Sequence, residues 1–134
     1  MMGTAPSALK ILLIEDDVHV REVVTEMLVS LGHSVLATSG GREGLARLQA
    51  GDDVDLVLTD LKMPEMSGWE VVKAVKTRWS HLPVGVITGT PELLHEQREP
   101  VDFLITKPVK LKTLQEALSR FFPSPTNPHR GMFP

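Results

Sequence analysis

The sequence predicts an α/β domain, a parallel sheet covered by helices on both faces, and three observations carry that expectation. Five short apolar runs recur along the chain, stretches with helical spacing fall between them, and polar residues gather just after the runs. Runs of strand length, rich in Val, Ile and Leu and without alternation, suit strands buried on both faces. Their alternation with amphipathic stretches suits crossovers that return to the same sheet.

Each element has its own signal. "LKILLI" (9–14) is the first run, and Val20, Val23, Val24, Met27, Leu28 and Leu31 form the helical stripe that follows it, with Gly32 placed to end that helix. "HSVLAT" (33–38) is the second run; Ser39 is the expected cap of a second helix carrying Leu45 and Leu48. "VDLVLT" (54–59) is the third, followed by Ser67 and Glu70 in the S-x-x-E pattern of a capping box and by Val71, Val72 and Val75. "PVGVIT" (83–88) is the fourth. The stretch "GTPELLHEQREP" (89–100) then leaves room for only two or three turns between Pro91 and Pro100, so a fourth helix is expected to be short or mobile. "DFLIT" (102–106) is the last run, and Leu111, Leu114, Leu118 and Phe121 give the last helix. Residues 1–8 read as a flexible N-terminus and 9–122 as the ordered domain. "PSPTNPHRGMFP" (123–134), with four prolines and no apolar period, reads as a disordered tail.

Composition narrows the function. The chain has 134 residues, 42% hydrophobic and 23% charged, which suits one globular domain with a real core. A net charge of −3 supplies no basic field for nucleic acid, and no apolar stretch approaches the roughly 18–20 residues of a membrane span. With no cysteine there is no disulfide or thiolate chemistry, and "MMGTAPSA" lacks the features of a signal peptide, so a cytoplasmic location is expected. The five histidines show no ligand spacing. "SGGREG" (39–44) lacks the glycine order of a nucleotide loop. Trp69 and Trp79 are expected to pack, Trp69 near enough to the strand ends to report metal binding by its fluorescence.

Ligands of such sheets bind beyond the carboxyl ends of the strands. There the chain places Glu15-Asp16-Asp17, Thr59-Asp60, Thr88-Gly89-Thr90 and Thr106-Lys107-Pro108. If the first and third strands are neighbours, three or four acids crowd together, and a divalent cation relieves their repulsion. All-oxygen ligands without His or Cys suit Mg²⁺, which completes its shell with water and phosphate oxygens. A lysine and a hydroxyl nearby can meet a phosphoryl group while Asp60 attacks phosphorus, so the set suggests phosphoryl transfer.

"IEDD", "LTDLKMPEMSG", "VITGT" and "LITKP", in this order at these strand ends, resemble the receiver domain of two-component response regulators, over about residues 9–122. That resemblance implies a flavodoxin-like, doubly wound three-layer fold with strand order 2-1-3-4-5. It implies that Asp60 accepts a phosphoryl group from the phosphohistidine of a histidine kinase or phosphotransfer domain. It matches Asp16 and Asp17 to the acidic pair that holds Mg²⁺, with Mn²⁺ as a substitute, and gives the metal the backbone carbonyl of Lys62. Thr88 matches the switch hydroxyl and Lys107 the phosphate-pairing lysine, followed by Pro108 through a cis bond. Lys62, Met63, Gly89 and Thr90 would form the loops around the phosphoryl group, with Lys62 and Thr90 tuning its loss. Such a protein is a signalling phospho-acceptor rather than an enzyme, switching the surface of helix 4, strand 5 and helix 5 toward a downstream protein or a phosphorylation-linked dimer. It is either a single-domain regulator or the receiver of a larger or hybrid protein.

The chain departs from the pattern at the switch. The family commonly has Tyr or Phe three residues before the lysine, where this chain has Leu104; Phe103 precedes it and, by the period of two, faces the other side of the sheet. The rival functions are a phosphorylation-independent interaction module, a dehalogenase-like phosphatase and a flavodoxin-like cofactor binder. The intact acids, threonine and lysine argue against the first. Lys62, standing where a phosphatase needs a second acid, argues against the second. The third leaves the acid and lysine cluster unexplained.

Overall fold

The computed structural model describes residues 8–97 and 99–122; residues 1–7 and 123–134, on which the expected flexible N-terminus and tail fall, lie outside it. Ten elements follow one another: β1 (Lys10–Ile14), α1 (Val18–Ser30), β2 (Ser34–Thr38), α2 (Gly41–Gln49), β3 (Leu56–Asp60), α3 (Gly68–Arg78), β4 (Val84–Thr88), a 3-10 segment (Pro91–Glu96), β5 (Phe103–Thr106) and α4 (Leu111–Phe121). All four strand pairings are parallel, in the order β2-β1-β3-β4-β5.

Period two sorts the strand side chains between two cores. Leu12, Ile14, Val57, Val84 and Val86 meet Leu48 of α2 and Val71, Val72 and Val75 of α3. Ile11, Leu13, Leu56, Leu58, Ile87 and Ile105 meet Val24 and Leu28 of α1 and Leu114 and Leu118 of α4. Each of these side chains contributes about 1.5–3 kcal/mol when fully buried, so the central strands hold the fold from both sides. The helix expected to be short on 89–100 is a six-residue 3-10 segment, Pro91–Glu96, with no buried residue, because Pro91 and Pro100 leave too little chain for an apolar face.

The helix ends bear out most of the sequence signals. Gly32 follows α1 at φ +97°, and Ser67 and Glu70 form the full capping box at α3. At α2 the cap residue is Gly40 instead, and Ser39 donates its backbone N–H to Glu43 Oε1 at 2.7 Å. The register then levels the strand ends: Ile14 lies opposite Thr59, Asp60 opposite Ile87, and Thr88 opposite Thr106. The residues just past β1, β3, β4 and β5 therefore open onto one crevice.

Candidate functional site

Asp60, the last residue of β3, is 5% exposed. Its Oδ1 accepts the Leu61 N–H at 2.7 Å and its Oδ2 accepts Lys107 Nζ at 2.7 Å. Its backbone is fixed by the loop that returns into α3. Gly68 N–H donates to Leu61 O at 2.8 Å, and a Cβ on Gly68 would stand 2.0 Å from Asp60 O. Only glycine lets the chain come that close. Between them Glu65 takes a left-handed φ of 68°, and Met63 is buried in the core as an anchor.

Glu15 directly follows β1 and is 2% exposed. Its Oε1 lies 3.2 Å from Lys107 Nζ and its Oε2 accepts the Asp17 N–H at 3.1 Å. Burial is the chief influence on its acidity and the Asp60 charge adds to it; the Asp17 N–H and Lys107 act in the opposite sense, and the carboxyl is pushed up to about 7. Lys107 is delivered from the end of β5, its stem packed over Gly89 and its backbone N–H bonded to Thr88 O at 2.8 Å. Burial works to lower the pKa of the ammonium, but the hydrogen bond and charge of Asp60, then those of Glu15, hold it above its ordinary value. The Lys107–Pro108 bond is cis, as the resemblance implies.

Carboxylate oxygens of Glu15, Asp16 and Asp60 lie within 4.8 Å of one another. The structure thus groups Glu15 with Asp16, where the sequence expectation paired Asp16 with Asp17. Asp17 is the N-cap of α1, where its Oδ1 accepts the His19 and Val20 N–H groups at 2.8 and 3.1 Å, which also holds its pKa below the ordinary value. Its carboxylate is committed to the helix, and Glu15 stands in the cluster instead. The signal that could have found Glu15 is the helix-start rule itself: the acid nearest α1 is the cap, so the pair lies one residue earlier.

The remaining expected residues divide between wall and interior. Asp16, Asp17, Lys62, Gly89 and Thr90 line an open cleft of about 250 Å³ with Glu15, Asp60 and Lys107. Thr88 is fully buried behind it, and its Oγ1 accepts the Thr90 N–H at 2.9 Å. Leu104 is on the α2 and α3 side of the sheet, in register with Val86, and is 37% exposed. Phe103 faces the other side, over Gly85 and 5.5 Å from the Phe121 ring. The opposite facing expected from period two holds.

Strand order 2-1-3-4-5, an acid triad at the strand ends and a lysine crossing to the central acid together define a doubly wound domain built around a charged, oxygen-rich cleft. The chain belongs to the response regulator receiver domain family, whose description matches residues 11–119. It is 32% identical over 116 residues to a chemotaxis protein CheY homolog of Campylobacter jejuni, covering 82% of this chain and 89% of that protein. Among solved structures, the chemotaxis response regulator CheY4 of Vibrio cholerae is 30% identical with a TM-score of 0.77, over 85% of this chain and 98% of that one. A receiver domain protein from Clostridium thermocellum is 29% identical with a TM-score of 0.76, over 85% and 93%. Among the described residues no helix is long and apolar enough to cross a membrane.

Proposed function

We propose that the protein is the phospho-accepting receiver of a two-component phosphorelay and that Asp60 is its acceptor. The observation that carries this reading is the Lys107 ammonium between Asp60 and Glu15, in a cleft whose three clustered carboxylates suit a hard, oxygen-seeking cation. Glu15, Asp16 and Asp60, with the Lys62 carbonyl, would hold Mg²⁺ there. The cation supplies positive charge to the phosphoryl oxygens and offsets the repulsion among the acids.

In the transfer, an Asp60 carboxylate oxygen forms a bond to phosphorus while the P–N bond of the partner's phosphohistidine breaks. The electron pair stays on the imidazole nitrogen, which is left neutral or takes a proton according to pH. Lys107 moves from carboxylate to phosphoryl oxygen and stabilises charge there; the Thr88 hydroxyl turns from Thr90 N–H toward another of those oxygens. Lys62 and Thr90, which both line the cleft, govern how water reaches the acyl phosphate. Met63 serves by anchoring its loop from the core, and Gly89 by lining the cleft beside the lysine stem.

The product is a modified aspartate rather than a released one, so the protein acts as a signalling acceptor that catalyses its own phosphorylation and dephosphorylation. An apolar hollow lined by Val20, Val23, Val24, Pro108 and Val109 shares Gly89 and Lys107 with the site and would seat the histidine kinase or phosphotransfer domain within reach of Asp60. A cytoplasmic location and an output to a downstream protein go with this reading. Incubation with a small phosphodonor and Mg²⁺, followed by intact mass, tests it: one phosphoryl group is expected, lost without Mg²⁺ and lost in Asp60→Asn. Labelling that survives Asp60→Asn refutes the assignment.

A further inference from the structure

The segment after β4 cannot fasten itself by burial. None of Pro91–Glu96 is buried, and Leu93 and Leu94 are only partly covered against the core on the α3 side. An anchor comes from α3: the indole Nε1–H of Trp69 donates to Leu93 O at 2.7 Å, across 24 residues of sequence. Trp69 is 9% exposed and follows Gly68, the residue pressed against the Asp60 carbonyl. The indole is therefore held by the same helix start that fixes the Asp60 backbone. The other end of the loop is tied to Thr88, whose Oγ1 accepts the Thr90 N–H, and Leu93 N–H in turn donates to Thr90 O at 3.0 Å.

We propose that Trp69 is a positioning residue, a latch that couples residues 89–96 to the Asp60 site and opposes their movement. The proposal rests on the phospho-acceptor reading. When the Thr88 hydroxyl turns to a phosphoryl oxygen, the Thr90 N–H loses its acceptor and the loop must shift, which strains the bond from the indole to Leu93 O. On this proposal the bond belongs to the unswitched arrangement and favours it. A ligand that binds the switched state better then binds more tightly when the bond is removed.

The test uses the full chain with Mg²⁺ and beryllofluoride as the phosphoryl mimic, its binding followed by ¹⁹F NMR. Trp69→Phe keeps an aromatic ring and removes the donor; the latch predicts binding about two- to tenfold tighter than wild type, the range of one net hydrogen bond. In a Thr88→Ala background, the same substitution should give no gain, which a merely structural role would not predict. In Trp79→Phe, where Trp69 is the remaining tryptophan, emission should move to longer wavelength on beryllofluoride binding; this arm does not depend on how Trp69→Phe folds. Unchanged or weaker binding in Trp69→Phe, an equal gain without Thr88, or unmoved emission would overturn the latch. Wild type that binds no beryllofluoride would sink the latch and the phospho-acceptor reading together, whereas normal wild-type binding with no Trp69 effect overturns the latch alone.

Discussion

The Lys107 ammonium lies 2.7 Å from Asp60 Oδ2, although β4 stands between their two strands in the sheet. Its stem runs beside Gly89, and the ammonium also meets Glu15 at 3.2 Å. It is thus the counter-charge for two buried acids.

Removing it should leave both acids uncompensated. Lys107→Ala is expected to lower stability by about 1–3 kcal/mol, less than a fully buried pair because the lysine side chain is 23% exposed. Millimolar Mg²⁺ should restore part of the loss by binding the folded state. Urea unfolding with and without Mg²⁺ measures this; a variant as stable as wild type in the absence of Mg²⁺ contradicts it.

Gly68 tests how closely α3 must approach the acceptor. A Cβ there meets backbone atoms of Asp60 and Leu61, at 2.0 and 2.7 Å, rather than a side chain that can swing away. Gly68→Ala should therefore cost about 3 kcal/mol, the upper range for overpacking, and should slow labelling of Asp60. Equilibrium unfolding that shows less than about 1 kcal/mol would mean that the loop relaxes freely.

A pH dependence resides at the opposite end of the sheet. His33 Nδ1 accepts the Leu9 N–H at 3.0 Å, which requires a neutral ring, and burial holds its pKa below the ordinary 6.5. The residues around it, Leu9, Leu31, Gln115, Leu118, Ser119 and Phe122, carry no charge. Because the folded pKa lies below the unfolded one, this contribution is full above 6.5 and is lost as pH falls through the folded value. His33→Asn keeps an acceptor that does not titrate, so its Tm should fall less than that of wild type as pH drops below 6.5. Parallel Tm profiles would refute this.

Phe103 and Leu104 should separate cleanly. Phe103 fills the space over Gly85 and touches Phe121, so Phe103→Ala is expected to cost about 2–3 kcal/mol. Leu104→Ala, at an exposed edge position, should cost under about 1 kcal/mol and leave Asp60 labelling unchanged. Thermal unfolding of the two variants checks the order, and a larger loss for Leu104 would reverse the assignment.

What the sequence made legible was what local rules govern. The apolar runs gave the five strands, since β3 and β4 are buried at every position, and Ser67 with Glu70 gave the start of α3. The sequence paired Asp16 with Asp17 and the structure groups Glu15 with Asp16, because Glu15, Asp16 and Asp17 are equivalent as letters. Only the start of α1 decides which carboxylate turns to the helix and which to the cleft. The segment after β4 read as short in sequence for the reason it is a short 3-10 helix in the structure, the proline spacing. The bond from Trp69 to Leu93 had no sequence signal, because it joins a helix to a loop 24 residues away.

The chemistry proposed for this protein converges on one group, the Asp60 carboxylate. Phosphorylating the protein with a small donor and Mg²⁺, reducing the acyl phosphate with borohydride and mapping the peptides tests it most directly. A single modified residue is expected, Asp60, with Asp16 and Asp17 unmodified. Modification at either of those aspartates, or on a histidine, would contradict it.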